Sequence, residues 1–278
     1  MRRIIAMYKL ARPTTSLSGA MAVILGGYVA GTGNWFNIIL AAVATFLATG
    51  AANAWNDYLD VEIDRINQPH RVLPAGLMSL RGAWIFSIGL TIIALLIAAF
   101  INLPSFLIAL VASVVLYFYS WKLKSTVLMG NATVATISAL SAVFGGVAAG
   151  NVWPTFWLAI IIATAIMGRE VLKTIADYEG DLRQRCRTIA TVWGRRPARI
   201  VFYLLLGATV WMMMVPYLFN DYKPIYAQIV AIGVYPIILY VLIRTSRNSS
   251  GRQLERLSRL MKYDFFIWFI AVILGAAT

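Results

Sequence analysis

The sequence predicts an all-α, polytopic integral membrane protein with nine transmembrane helices and a cytoplasmic N-terminus. Of its 278 residues 60% are hydrophobic and only 13% are charged, whereas about a quarter of the residues in a typical soluble domain are charged. One soluble domain of this length has no core large enough to bury so much apolar side chain. The apolar residues also fall into separate runs, most of them close to the roughly 20 residues that one membrane span needs.

Nine apolar segments follow one another along the chain, several of them joined by very short connections. They lie near residues 14–32, 35–58, 83–101, 104–121, 127–150, 154–176, 199–219, 224–243 and 263–277. No second domain and no fixed-period repeat accompanies them. We therefore expect residues 1–278 to form a single transmembrane domain.

The basic residues predict how these segments are oriented. With a cytoplasmic N-terminus, every one of the 24 lysines and arginines except Lys223 falls in a cytoplasmic end or loop. Because cytoplasmic loops are enriched in basic residues, this arrangement indicates a multi-pass protein of the cytoplasmic membrane. The net charge of +13 then reflects topology and attraction to anionic lipid, and we expect no nucleic-acid partner. The single cysteine, Cys186, excludes an intrachain disulfide.

The first polar cluster ends the second apolar segment, in the stretch NDYLDVEIDRINQPHR at residues 56–71. On a helix, five polar residues lie on or beside one stripe because they are spaced three or four positions apart. They are Asn53, Asn56, Asp57, Asp60 and Asp64. Like charges at this spacing repel one another, so the stripe requires a compensating positive charge.

The second polar cluster ends the sixth segment, in GREVLKTIADYEGDLRQRCRT at residues 168–188. Here Arg169, Lys173, Asp177 and Asp181 repeat every four residues. Both segments run from outside to inside, so both clusters lie at helix C-termini, where the helix dipole disfavours anions. Carboxylates at the edge of a membrane are costly enough to indicate function. We expect cations between the two clusters, with the active site facing the cytoplasm.

The side chains indicate which cation binds. Carboxylate and amide oxygens, without a cysteine or histidine set, suit a hard ion such as Mg²⁺. Mg²⁺ held by few carboxylates completes its coordination with water and substrate phosphate, and the neighbouring lysines and arginines can bind further phosphate oxygens. The sequence thus predicts a diphosphate at the cytoplasmic mouth of an apolar helix bundle. An isoprenyl diphosphate has such a head and a long apolar tail.

Both motifs resemble the aspartate-rich motifs of the UbiA superfamily of intramembrane prenyltransferases. The first reads N-D-x-x-D-x-x-x-D at residues 56–64 and the second D-x-x-x-D at 177–181. The similarity extends to LARP at 10–13, YSWKLK at 119–124 and GN at 130–131. It covers nearly the whole chain and implies nine spans with the N-terminus inside.

The resemblance also implies a role for each site residue. Asn56, Asp60 and Asp64 hold one Mg²⁺ with Asp57 adjoining, and Asp177 and Asp181 hold a second. These five aspartates are the expected catalytic residues. The diphosphate contacts are expected from Asn53, Arg65, Tyr119, Ser120, Lys122 and Lys173. For capture by a hydroxyl, either Asp57 or the released diphosphate takes the proton.

Two stretches resemble the lipid-forming branch of the superfamily, EIDRINQPHR and REVLKTIADYEGD. That branch joins geranylgeranyl diphosphate to the hydroxyl of geranylgeranylglyceryl phosphate, and basic residues at the cytoplasmic mouth suit an acceptor that carries a phosphate. They are Arg12, Arg71, Lys124, Arg183 and Arg187. The sequence departs from the branch at Val72 and Ala75, where proline and serine are usual, and at Cys186 and Ala190, where glycine and proline are usual.

Two other functions remain open at this point. One is a prenyltransferase with an aromatic acceptor, as in quinone or chlorophyll biosynthesis. The other, more distant, is a cation-coupled transporter, which would also carry carboxylates within the membrane. A transporter places such groups near the bilayer midplane, often on broken helices, whereas these acids lie at one face.

Overall fold

The computed structural model describes residues 2–183, 185–246 and 250–276. Within these ranges the chain is helical and contains no strand, as the sequence predicts. The last residue of the ninth predicted segment, Ala277, lies outside the described residues. The chain divides into two compact units, whereas the sequence predicts a single domain, and that prediction stays a prediction.

The first unit comprises Met1–Lys124 and Ser141–Trp153. Its helices are α1 (Arg2–Ala11), α2 (Pro13–Val29), α3 (Trp35–Leu59), α4 (Val61–Asn67), α5 (Leu80–Ile101), α6 (Leu103–Phe118) and the end of α7 (Met129–Ala149). A π-helical turn, Tyr119–Leu123, continues α6. The short helices α1 and α4 carry the polar ends of the neighbouring apolar segments.

The second unit comprises Ser125–Leu140 and Pro154–Thr278. It contains the beginning of α7, then α8 (Phe156–Ala176), α9 (Tyr178–Arg183), α10 (Ile189–Trp193), α11 (Arg195–Leu218), α12 (Pro224–Ile229), α13 (Tyr235–Ser246) and α14 (Gly251–Gly275). A 3₁₀ turn, Trp153–Thr155, precedes α8, and a π-helical turn, Val230–Val234, joins α12 to α13.

Within the part of the chain that the structure describes, seven helical stretches are long and apolar enough to cross a membrane. They are Trp35–Leu59, Leu80–Ile101, Leu103–Leu123, Met129–Ala149, Trp153–Ala176, Arg195–Leu218 and Pro224–Thr245. The first and ninth predicted segments are also helical, as α2 and the second half of α14. Helix α2 has only 17 residues, and the first half of α14 is rich in charged side chains.

The distribution of side chains is the one expected for helices in lipid. Large apolar residues face outward, with Phe100 at 75% exposure, Ile232 at 79% and Trp153 at 82%. The core of the first unit is instead rich in alanine, with Ala41, Ala98 and similar small residues packed together. Small side chains let helix backbones approach closely, which is how helices associate where lipid tails are as apolar as leucine.

Two glycines set the distance between α2 and α7. A Cβ on Gly26 would lie 2.0 Å from the carbonyl oxygen of Ala142, and one on Gly145 would lie 2.0 Å from that of Val23. The two backbones are therefore in direct contact, and any side chain at these positions would force the helices apart.

We expect Gly145→Ala to destabilise the protein by about 2 kcal/mol or more, because a well-packed contact cannot absorb the added methyl group. The matched control is Gly89→Ala in α5, where a Cβ would meet no atom within 4 Å and helix propensity favours alanine. The measurement is the melting temperature in detergent. Equal melting temperatures for the two variants would contradict the close packing.

Candidate functional site

The first aspartate cluster begins where α3 ends. Helix α3 stops at Leu59, Asp60 forms its C-cap, and α4 starts at Val61. The amide of Asp60 still donates to the carbonyl of Asn56 at 3.0 Å, and the amide of Asp64 donates to the carbonyl of Asp60 at 2.8 Å. Because these hydrogen bonds keep the four-residue repeat, the predicted stripe survives the break between the helices.

Each aspartate of this cluster is paired with a basic side chain. Arg12 donates to Asp57, and Lys124 donates to Asp60. Arg71 places one guanidinium nitrogen 2.7 Å from Asp64 Oδ2 and 3.7 Å from Asp57 Oδ1. The three acids of the motif are thus matched by three cations.

The surrounding structure buries two of these acids. Asp57 and Asp64 are each 5% exposed. Arg12, the partner of Asp57, lies between α1 and α2 with φ 47°. Non-glycine residues adopt this left-handed conformation uncommonly. The side-chain amide of Asn53 donates to the backbone carbonyl of Ala11 at 3.1 Å, so α3 anchors this junction. The junction that carries Arg12 is therefore tied to α3, the helix that carries Asp57.

Asn56 and Asp60 form the second pair of the cluster. The side-chain nitrogen Nδ2 of Asn56 donates to Asp60 Oδ2 at 2.9 Å. Lys124 Nζ lies 3.5 Å from Asn56 Oδ1, so it contacts both side chains. The predicted residues thus form two groups. Asn56 contacts Asp60, and Asp57 is linked to Asp64 because both contact Arg71.

Several predicted diphosphate contacts have other partners. Arg65 binds Glu62 at 2.9 Å, and Lys122 lies over the ring of Trp121 at 4.3 Å. The hydroxyl of Ser120 donates to the carbonyl of Leu116 at 3.1 Å. Tyr119 begins the π-helical turn beside it, a feature often found at functional sites. The cations that reach the motif are Arg12, Arg71 and Lys124, which the sequence associates with the acceptor phosphate.

The second aspartate cluster has the same local construction. Helix α8 stops at Ala176, Asp177 is its C-cap, and the amide of Asp181 donates to the carbonyl of Asp177 at 2.9 Å. Upstream, Lys173 binds Glu170 at 3.0 Å and Arg169 binds the same carboxylate at 3.3 Å. Glu170 was not predicted, and it holds both basic residues of the stripe.

A cavity of about 420 Å³ opens beside this second cluster. Its lining residues are Ala176, Asp177, Gly180, Asp181, Gly251, Arg252 and Glu255. Gly251, Arg252 and Glu255 come from the start of α14. This part of α14 packs closely against the end of α8, because a Cβ on Gly251 would lie 2.5 Å from the carbonyl oxygen of Ala176. Arg252 and Glu255 were not predicted as site residues. They lie 75 or more positions from Asp177 in the sequence, so no local sequence pattern connects them to it.

Burial and like charge both act on the second cluster. Burial and the nearby Asp177 carboxylate, opposed by a hydrogen bond with Thr188, together raise the pKa of Asp181 to about 6. Burial also raises the pKa of Asp177, against the lowering effect of Lys173. A nearby cation would relieve this cost by stabilising the charged forms.

This shift makes stability depend on pH. Between pH 3.8 and about 6 the folded chain binds more protons at Asp181 than the unfolded chain, so the free energy of unfolding falls as pH rises through that window. Asp181→Asn should therefore raise the melting temperature in metal-free detergent at pH 7 and change it little near pH 4. The control is Glu179→Gln, an exposed acid of the same helix. An equal rise in melting temperature at both pH values would show that ionisation of Asp181 is not the cause.

The donor atoms fit a hard divalent cation. The first cluster offers carboxylate oxygens and one amide oxygen, and two of its acids are buried. The positive charges paired with its acids are the side chains of Arg12, Arg71 and Lys124. Among the described residues no three carboxylate, histidine or cysteine side chains are close enough to hold a metal by themselves. An ion here would take its remaining ligands from water and substrate, which is the usual pattern for Mg²⁺.

Comparison with known proteins gives the family. Residues 19–270 match the UbiA prenyltransferase family. The chain is 33% identical over 274 residues to a digeranylgeranylglyceryl phosphate synthase of Methanococcus maripaludis, with 98% of each chain covered. It is 27% identical, with a TM-score of 0.84 and 99% of both chains covered, to a solved structure from a study of digeranylgeranylglyceryl phosphate synthase in membranes.

A second solved structure has the same fold at lower identity. It is a UbiA homologue from Archaeoglobus fulgidus bound to GPP and Mg²⁺, with 21% identity, a TM-score of 0.70 and coverage of 95% of this chain and 99% of that one. Together with the family match over most of the chain, these similarities agree with the membrane-type helices and the two aspartate motifs. The chain belongs to the UbiA prenyltransferase family and is a membrane-embedded prenyltransferase.

Proposed function

We propose that this prenyltransferase moves a geranylgeranyl group from geranylgeranyl diphosphate to the hydroxyl of geranylgeranylglyceryl phosphate, with Mg²⁺ as cofactor. The observation that carries the proposal is the first cluster, where carboxylates and their cationic partners stand together at the end of an apolar helix. Such a site suits a metal-bound diphosphate, and the adjoining apolar helices suit its tail. The names of the relatives support the choice of acceptor.

The metal ligands are assigned as the sequence predicts. Asn56, Asp60 and Asp64 hold one ion with Asp57 adjoining, and Asp177 and Asp181 hold a second. When bound, Mg²⁺ neutralises the charge that develops on the leaving diphosphate. In addition to the predicted Asn53, Arg65, Tyr119, Ser120, Lys122 and Lys173, we assign Arg12, Arg71 and Lys124 to diphosphate recognition, because their side chains already lie at the motif.

The residues then position one bond exchange. The allylic C1–O bond breaks and the diphosphate leaves with its electron pair, stabilised by the cationic side chains around it. The acceptor oxygen forms the new bond to C1, and its proton passes to Asp57 or to the released diphosphate. Holding the hydroxyl beside C1 makes this step effectively intramolecular.

The proposal includes nine spans and a cytoplasmic N-terminus. The two ends of α2 should therefore lie on opposite sides of the membrane. In a Cys186→Ser background, Tyr8→Cys should react with an impermeant thiol reagent only from the cytoplasmic side, and Asn34→Cys only from outside. Both positions are exposed and flank α2. Labelling of both from the same side would show that α2 does not cross, which removes the nine-span topology.

The direct test is an assay of the purified protein in detergent or liposomes. With geranylgeranyl diphosphate, geranylgeranylglyceryl phosphate and Mg²⁺, mass spectrometry should detect the ether lipid and one released diphosphate for each ether formed. EDTA should stop both products and added Mg²⁺ should restore them. Ether formation at full rate in EDTA would refute the Mg²⁺ requirement, and the absence of any ether with Mg²⁺ present would refute the acceptor.

A further inference from the structure

The ion pairs of the first cluster affect how a metal ion and a diphosphate can enter the site. A metal ion that approaches Asp57, Asp60 or Asp64 meets a carboxylate that already has a basic partner. Two positive charges near one carboxylate repel each other, and this repulsion is strong where burial lowers the local dielectric. The ion must therefore displace a cation or accept a weaker site.

A diphosphate on its own meets the opposite difficulty. Arg12, Arg71 and Lys124 are engaged with the motif, and the carboxylate of Asp60, whose side chain is 14% exposed, would repel an incoming anion. If metal and diphosphate arrive together, the carboxylates can take the metal while the released cations take phosphate oxygens. Every charge then has a partner before and after binding.

We propose that Arg12, Arg71 and Lys124 are exchangeable counter-ions of the motif, which move from the aspartates to the diphosphate when the metal and diphosphate bind together. This inference rests on the proposed function and adds to it the order in which the site is filled. Such an exchange couples the binding of the metal ion strongly to the binding of the diphosphate, because each one frees the side chains that the other needs. By linkage, the diphosphate strengthens metal binding by the same factor as the metal strengthens diphosphate binding.

Lys124 is the best residue with which to test this exchange. Its side chain is 45% exposed, so its removal leaves no buried cavity, whereas removing Arg12 would strip the buried Asp57 of its main partner. It also contacts both Asn56 and Asp60, two of the proposed metal ligands. Lys124→Gln keeps most of the side chain's length and removes the charge.

The experiment measures binding, with no turnover. Calorimetry on the purified protein in detergent gives three affinities: for Mg²⁺ alone, for Mg²⁺ in the presence of inorganic pyrophosphate, and for pyrophosphate in saturating Mg²⁺. In the wild-type protein Mg²⁺ alone should bind weakly, and pyrophosphate should strengthen it. In Lys124→Gln, Mg²⁺ alone should bind about tenfold more tightly because a repelling charge is gone, while pyrophosphate with Mg²⁺ should bind about tenfold more weakly because a charged contact is lost.

Shifts of opposite sign are the signature of exchange. The matched control is Arg81→Gln, which removes the same charge from an exposed position of the same unit and should change neither affinity. If Lys124→Gln weakens both ligands or alters neither, or if Arg81→Gln reproduces its shifts, the exchange is refuted. The same holds if the wild-type protein binds Mg²⁺ equally well with and without pyrophosphate. Failure of ether formation in the assay above would refute the acceptor and leave these binding results unaffected.

Discussion

Asp60→Asn and Asp181→Asn should each reduce prenyl transfer by about a hundredfold to a thousandfold, while the protein remains folded. Each change keeps the shape of the side chain and removes one negative charge from a proposed metal ligand. Stabilisation of a leaving group by positioned charge is commonly the largest single contribution to catalysis, and loss of one donor costs about two to three orders of magnitude. The readout is release of diphosphate from geranylgeranyl diphosphate at saturating Mg²⁺.

The control for charge and position is Glu62→Gln. Glu62 lies on α4 between Asp60 and Asp64, but its side chain is 73% exposed and binds only Arg65 among the described residues. The Glu62→Gln variant should therefore retain nearly full prenyltransferase activity. Wild-type rates in both asparagine variants would end the assignment of the two motifs as metal sites, and loss of activity in Glu62→Gln to the same extent would show that the effect is not specific to the ligands.

The positions of the long helices could be predicted because each of them is an apolar run of nearly the length that a membrane requires. The short helices α1, α4, α9 and α10 could not be recognised as separate elements in this way. They are polar or amphipathic, and their boundaries depend on contacts with the long helices. At Asp60 and Asp177 the chain changes from one helix to the next within a single residue, too little to alter the four-residue spacing from which the stripes were predicted.

The partners of the aspartates depend on the tertiary fold. Arg12 is 45 positions from Asp57 and Lys124 is 64 positions from Asp60, so no local pattern connects them. The sequence favours Arg65 as a diphosphate contact because it follows Asp64 directly, but Glu62 lies one helical turn before Arg65 and binds it instead. An i, i+3 pair of this kind is visible in a sequence, and it was the available signal that Arg65 has a nearer partner than the diphosphate.

The acceptor provides the second large expected effect. Geranylgeranylglyceryl phosphate should react at least tenfold faster than geranylgeranylglycerol, which has the same tail and hydroxyl without the phosphate. Basic side chains in the segments predicted to be cytoplasmic, such as Arg183 and Arg187, suit an acceptor with its own phosphate. A single charged hydrogen bond to it contributes about 1.5–3 kcal/mol, and tenfold in rate corresponds to about 1.4 kcal/mol.

An aromatic acid should be a poor substrate in the same assay. 4-Hydroxybenzoate also carries a negative charge, so attraction alone does not separate it from the lipid. Ring alkylation requires an electron-rich ring stacked against C1, whereas ether formation requires an alcohol that loses its proton during capture. We therefore expect little or no prenylated 4-hydroxybenzoate. Efficient prenylation of its ring without ether lipid would move this protein to the quinone-forming branch, and the predictions for Asp60, Asp181 and Lys124 would stand, because they concern the diphosphate that both reactions share.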